Sequence, residues 1–166
     1  MLGNDWVNEA LQRAIDCLQI SDVFIRDASA SLAEHVDPKY YGSFDTLETQ
    51  FIHIVAKSEV LELSENEESR SLFRVHIALG VRWVERSEDE QTNDSDAVIE
   101  LARIRAVMVA EYEMKDNPGE EALTAFALKN ASYHVWPYWR EYLSSQCMRM
   151  NLPKLMLPAV QLADNR

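Results

Sequence analysis

The feature that most constrains this chain is a strict alternation between residues 72 and 83. Phe73, Val75, Ile77, Leu79, Val81 and Trp83 fall on one side, with Arg74, His76 and Arg82 on the other. Successive side chains of a β-strand point to opposite faces, so a period of two with one apolar side predicts a half-buried antiparallel strand. Such a strand needs neighbours. Residues 49–63 supply one: Phe51, His53 and Val55 alternate with Ile52, Ile54 and Ala56, and the frequent β-branched residues suit a sheet. Both sets are largely apolar, so both faces of that strand are expected to be covered. Residues 97–114 supply another, whose alternation slips between Leu101 and Ile104 and predicts a β-bulge or bend. Residues 20–32 read as a first strand.

Helical signals flank the strands. Asn4 or Asp5 can cap a helix in which Trp6 or Val7, Ala10, Leu11, Ala14 and Leu18 share a face. After the strands, Asn117-Pro118-Gly119-Glu120 has the order of a capped helix start, with Asn117 as N-cap, Pro118 at the first position and Glu120 at the third. Leu123, Phe126 and Ala127 give this short helix its apolar face. Residues 130–136 read as a loop, and Pro137 suits the first position of a longer helix reaching Met150. Trp139, Leu143, Cys147 and Met150 form one apolar stripe on it; Tyr138, Tyr142 and Met148 form a second, with Ser144 and Ser145 nearby. A helix apolar on two sides asks for two partners, one of which can be another chain. Pro153 and Pro158 then forbid further helix and leave LPKLMLP extended.

Strands followed by helices make an α+β domain, with helices on one face of a four-stranded antiparallel sheet. The expected division is one domain over 1–166: an extra N-terminal helix over 4–19, the sheet over 20–114, helices over 118–150 and a tail over 151–166. The acidic runs ELSENEESRS and ERSEDEQTNDSD are expected to be solvated connections between strands, or a docking surface for a basic partner.

Composition narrows the function. At 166 residues the chain can bury roughly two thirds of its unfolded surface. A net charge of −12 argues against nucleic acid or an anionic membrane as partner. The first residues carry acids and no basic stretch, unlike a secretory signal, and no apolar run is long enough to cross a membrane. Two cysteines make no disulfide framework, so the cytoplasm is the expected location. Enzymatic signatures are missing. His35, His53, His76 and His134 lie far apart in sequence without a metal-binding spacing. Cys17 and Cys147 sit on apolar helix faces, where a small buried hydrophobe is the simpler role. The four glycines are isolated, so no phosphate loop exists. Arg140 and Glu141 read as anchors at the helix start, and His134 as a packed histidine. No cofactor is expected.

Trp136-Pro137-Tyr138, with Arg140 and Glu141, is followed by Leu152-Pro153, Leu155, Leu157 and Val160. This combination and its spacing resemble the C-terminal signature of SecB, the bacterial export chaperone. The order of elements agrees over roughly residues 20–160. The extra N-terminal helix and short tail are more similar to the SecB-like members that accompany toxin–antitoxin systems. The export form contacts the SecA motor through its C-terminal tail; ADNR offers no such tail, which puts SecA in doubt as a partner.

The resemblance implies an ATP-independent holdase for unfolded polypeptides, acting in protein export, or a dedicated chaperone of one client such as an antitoxin. A ligand-binding or enzymatic α+β domain is the competing class. By region, the family's client groove falls on Tyr40, Tyr41 and Phe44 in the loop after the first strand and on Tyr133, Val135 and Trp136 before the long helix. Those rings either line such a groove or cover a core edge or an oligomer seam. The family's tetramer, a dimer of dimers with long helices at its interface, places Tyr138, Tyr142, Leu143, Cys147 and Met150 in the seam.

Overall fold

The computed structural model describes residues 5–65, 68–86 and 98–157. Its elements follow in the order α1 (Asp5–Cys17), β1 (Leu18–Leu32), β2 (Glu48–Glu65), β3 (Glu68–Arg86), β4 (Val98–Met114), α2 (Glu120–Lys129) and α3 (Ala131–Arg149). The four strands form one antiparallel sheet in the order β1-β4-β3-β2. A SecB-like arrangement is thus present: four strands, C-terminal helices on one face and a helix in front.

β3 behaves as its alternation predicts. Phe73, Val75, Ile77, Leu79, Val81 and Trp83 are all buried. They lie in register with Tyr112, Ala110, Met108, Ala106, Ile104 and Ala102 of β4, so one face of the two central strands forms the core. The slip foreseen near Leu101 is a bulge. Trp83 pairs with Ala102 while Val84 pairs with Glu100, which leaves Leu101 as the extra residue. The bulge lets Leu101 and Ala102 both be buried although they are consecutive.

α1 ends at Cys17 and passes directly into β1, two residues earlier than expected. Ala10 and Ala14 are buried, and their small side chains let α1 approach α2 closely. The expected cap at Asn4 and the side chains of Trp6 and Val7 lie outside the described residues, as do the connection 87–97, Pro158 and Val160.

Four boundaries differ from the sequence reading, each for a local reason. The run ELSENEESRS is not a long loop. Strand pairing continues to Glu65 and resumes at Glu68, because polar residues at a solvated hairpin end still offer the backbone ladder all it needs. α2 starts at Glu120 with Gly119 as N-cap at φ 94°, a conformation that favours glycine. Asn117 instead turns back, its Oδ1 accepting from the Gly119 N–H at 2.9 Å. Pro137 does not begin α3 but lies inside it, and residues 131–136 are already helical. A buried ridge of Ala131, Ser132, Val135, Trp139, Leu143 and Cys147 runs through the proline, and this burial outweighs the missing hydrogen bond. Arg140 and Glu141 are therefore mid-helix and exposed instead of anchoring a helix start.

The fourth difference concerns β2. Neither of its faces is covered as expected: Phe51, Ile52, Ile54, Val60 and Leu63 all remain exposed. The helices pack chiefly over the centre of the sheet, and β2 lies at its margin.

Candidate functional site

The structure separates the two expected halves of the client groove. The loop after β1 turns beside the far end of α3, where Pro38, Tyr41 and Phe44 line a pocket of about 270 Å³ with Asn151, Leu152 and Pro153. Tyr41 and Phe44 stack edge to face at 5.1 Å. Phe44 is buried, and Tyr41 is half-buried with its hydroxyl donating to Glu85 at 3.3 Å. Only Tyr40 stands clear, at 77% exposure. Tyr133, Val135 and Trp136 lie near the start of α3, a helix of 19 residues spanning about 28 Å. Val135 is buried, Trp136 half-buried and Tyr133 exposed. Phe44 and Val135 therefore belong to the core, because both point inward from elements that close the sheet's covered face.

Trp136 instead faces β2. Its ring lies 5.6 Å from that of His53, and His53 Nε2 shares a 2.7 Å hydrogen bond with Ser132 Oγ. The next turn is held by His134, whose Nδ1 lies 2.9 Å from the Tyr112 hydroxyl. Burial pushes the pKa of both histidines down and that of the Tyr112 phenol strongly up, so all three are neutral at physiological pH. A neutral polar seam thus fixes the start of α3 against β2 and β4. No group of three or more His, Cys, Asp or Glu that could hold a metal occurs among the described residues.

The remaining surface is apolar and belongs to β2. Residues 49–56, TQFIHIVA, contain no Asp, Glu, Lys or Arg. Phe51 is 56% and Ile54 51% exposed, on opposite faces of the strand. Among the described residues nothing pairs with the outer edge of β2. Its unused N–H and C=O groups, flanked by apolar side chains and by Trp136, can accept an extended chain as an added strand. The sequence reading missed these residues because apolar side chains on both faces suggested cover. A marginal place in the sheet gives the same pattern.

The expected seam residues also divide. Leu143 and Cys147 are buried inside the chain, so they pack against its own sheet and cannot line a contact between copies. Burial raises the Cys147 thiol pKa, as it does for the Tyr142 hydroxyl. Tyr142 and Met150 are half-buried, and Tyr138 is exposed together with Met148.

No protein-family model matches the chain. SecB-like chaperone Rv1957 of Mycobacterium tuberculosis H37Rv is 30% identical over 98 residues, 52% of each protein. SecB-like chaperone MT2006 of M. tuberculosis CDC 1551 matches over the same extent and identity. The chain thus spans about half the length of the curated relatives it matches. The solved structure of M. tuberculosis Rv1957, in complex with a ChAD peptide from the Rv1956 HigA1 antitoxin, superposes with a TM-score of 0.62. It shares 22% identity and covers 92% of this chain and 97% of that one. The fold is SecB-like. The resemblance carried by the 136–160 signature is thereby matched by the whole architecture, and the SecB-like relatives are named as chaperones, not enzymes. Among the described residues of this SecB-like chain, no helix is long and apolar enough to cross a membrane.

Proposed function

We propose that the chain is an ATP-independent holdase that binds unfolded, extended polypeptide segments. The observation that carries this reading is the open margin of β2, a long apolar strand edge beside the half-buried Trp136. A chain that lacks fixed structure offers only its backbone and scattered apolar side chains. A free strand edge meets the first and a two-sided apolar strand the second. Binding is passive, through burial and backbone pairing, with no catalytic step, nucleotide or cofactor. The site of action is the cytoplasm. A second copy packs on the outer stripe of α3 through Tyr138 and Met148, toward a homotetramer.

Two client ranges fit this surface: many precursors in protein export, or one dedicated client such as an antitoxin. The antitoxin peptide in the structural neighbour favours the second. The test is binding to a permanently unfolded polypeptide and to its native form without ATP, alongside antitoxin-derived peptides. Tight binding to several unrelated unfolded chains supports the general holdase, and binding to an antitoxin segment alone supports the dedicated one. Binding to neither would remove both.

A further inference from the structure

On the sheet face away from the helices, basic side chains are arranged in two ways. Toward the β2–β3 hairpin each has an acid at hand. Arg74 Nε donates to Glu111 Oε2 at 2.6 Å, His76 Nε2 lies 2.8 Å from Glu59 Oε1, and Lys57 Nζ is 3.1 Å from Glu59 Oε2. At the opposite end three arginines gather around one carboxylate. Glu100 Oε2 is 2.7 Å from an Arg103 nitrogen and 3.6 Å from one of Arg82, and Arg105 has no ion-pair partner among the described residues.

The strand register brings them together. Arg82 of β3 pairs with Gln50 of β2 and Arg103 of β4, while Gly80 pairs with Ile52 and Arg105. Arg82 is held in place, since its Nε and one terminal nitrogen both donate to Gln50 Oε1, at 2.9 and 2.6 Å. Gly80 makes room between the side chains. A Cβ there would stand 2.8 Å from Ile52 Cγ2 and 3.2 Å from Arg105 Cγ, so its absence lets those two close over β3. The result is a pocket of about 410 Å³, with guanidinium groups along one side and the Ile52 side chain along the other.

We propose that this pocket takes the carboxylate of an Asp or Glu side chain on an extended client peptide, with a neighbouring apolar side chain resting on Ile52. The inference rests on the client-binding reading and narrows it. Three guanidiniums line the pocket and one carboxylate, Glu100, pairs with two of them, which leaves a local excess of positive charge on a chain whose net charge is −12. An acidic segment repelled by the rest of the molecule is drawn to this point. The apolar wall selects a peptide over a free inorganic anion, which would leave Ile52 wet.

The experiment uses a short labelled peptide of Val and Thr with one central Glu, and its twin with Gln, followed by fluorescence anisotropy. The unmodified protein should bind the Glu peptide about fivefold more tightly, the range of a partly exposed ion pair, and the preference should shrink as salt rises. Arg105→Gln, which removes an exposed side chain without an ion pair, should abolish the preference and leave affinity for the Gln twin unchanged. Equal binding of both peptides would overturn the carboxylate pocket and leave the holdase standing. Binding of neither would overturn both. A preference that survives in Arg105→Gln would also overturn the proposal. So would a Glu preference erased by micromolar inorganic phosphate, which would assign the pocket to a small free anion.

Discussion

β1 and β2 hold equivalent places, one at each margin of the sheet, and they are built in opposite ways. β1 carries two bulges, with Ser21 and Arg26 as the extra residues, and charges at Asp22, Arg26 and Asp27. Bulges and charges are the usual means of keeping a strand edge from pairing with another chain. β2 keeps a regular register from Glu48 to Val55 before its single bulge at Ala56, and residues 49–56 are uncharged. It exposes Phe51, Ile52, Ile54, Val60 and Leu63, against Ile20 and Ile25 on β1. One margin is thus protected against pairing with another chain, and the other is left apolar and regular.

The largest effect on this contrast comes from removing the helix that holds the covered face together. Leu143→Glu would bury a carboxylate without a partner beneath α3 and cost more than about 4 kcal/mol. The expected outcome in circular dichroism and calorimetry is loss of the folded state, and a folded variant with altered mass alone would return Leu143 to an interface. Next comes the direct comparison of the margins. Phe51→Lys combined with Ile54→Lys should weaken unfolded-client binding by about 2 kcal/mol, roughly thirtyfold. Stability should stay within about 0.5 kcal/mol of the unmodified protein. Ile25→Lys on β1 should leave binding unchanged, and equal losses from the two edges would end the distinction. Gly80→Ala should destabilise by about 1–3 kcal/mol, because its new methyl must displace Ile52 on β2; chemical denaturation measures it.

The smallest effect is the response to acid. The His53 and His134 pKa values are lowered in the folded state, so the unfolded chain binds more protons as pH falls. Their contribution to stability is therefore present above the ordinary histidine pKa near 6.5. It declines as pH drops from there through the lower folded values. His53→Gln should flatten the melting temperature against pH between about 7 and 5. A slope identical to that of the unmodified protein would detach His53 from the fold's acid response.

How much of this was legible in the sequence depended on whether a signal was local. The alternation of β3 and the slip at Leu101 are properties of a single strand, and both appear where expected. Pro137 misled because its cost is local while the burial of Val135 and Trp139 that overrides it is tertiary. Asn117 has the chemistry of a cap, yet the positive φ of Gly119 decides where α2 begins. For the site, Tyr40 and Tyr133 are exposed, while Phe44 and Val135 turn inward. Nothing in their neighbours' identities separates those cases. The arginine pocket was hidden because Gln50, Arg82, Arg103 and Arg105 lie on three strands and meet only through register. Strand order is a fact about the whole chain, and it alone turned a two-sided apolar β2 from a covered strand into an open one.

The order β1-β4-β3-β2 also sets a timetable for assembly. β2 finds β3 across a hairpin, whereas β1 must wait for β4, which follows it by some seventy residues of chain. Closing longer loops delays pairing. α1, joined to β1 without a turn and seated on α2 through Ala10 and Ala14, must wait longer still. During synthesis β1 leaves the ribosome before the other strands yet docks among the last, so the β2 margin is formed while its bulged and charged counterpart is still unpaired. In pulse-labelled hydrogen exchange, the amides of β2 and β3 should gain protection before those of β1.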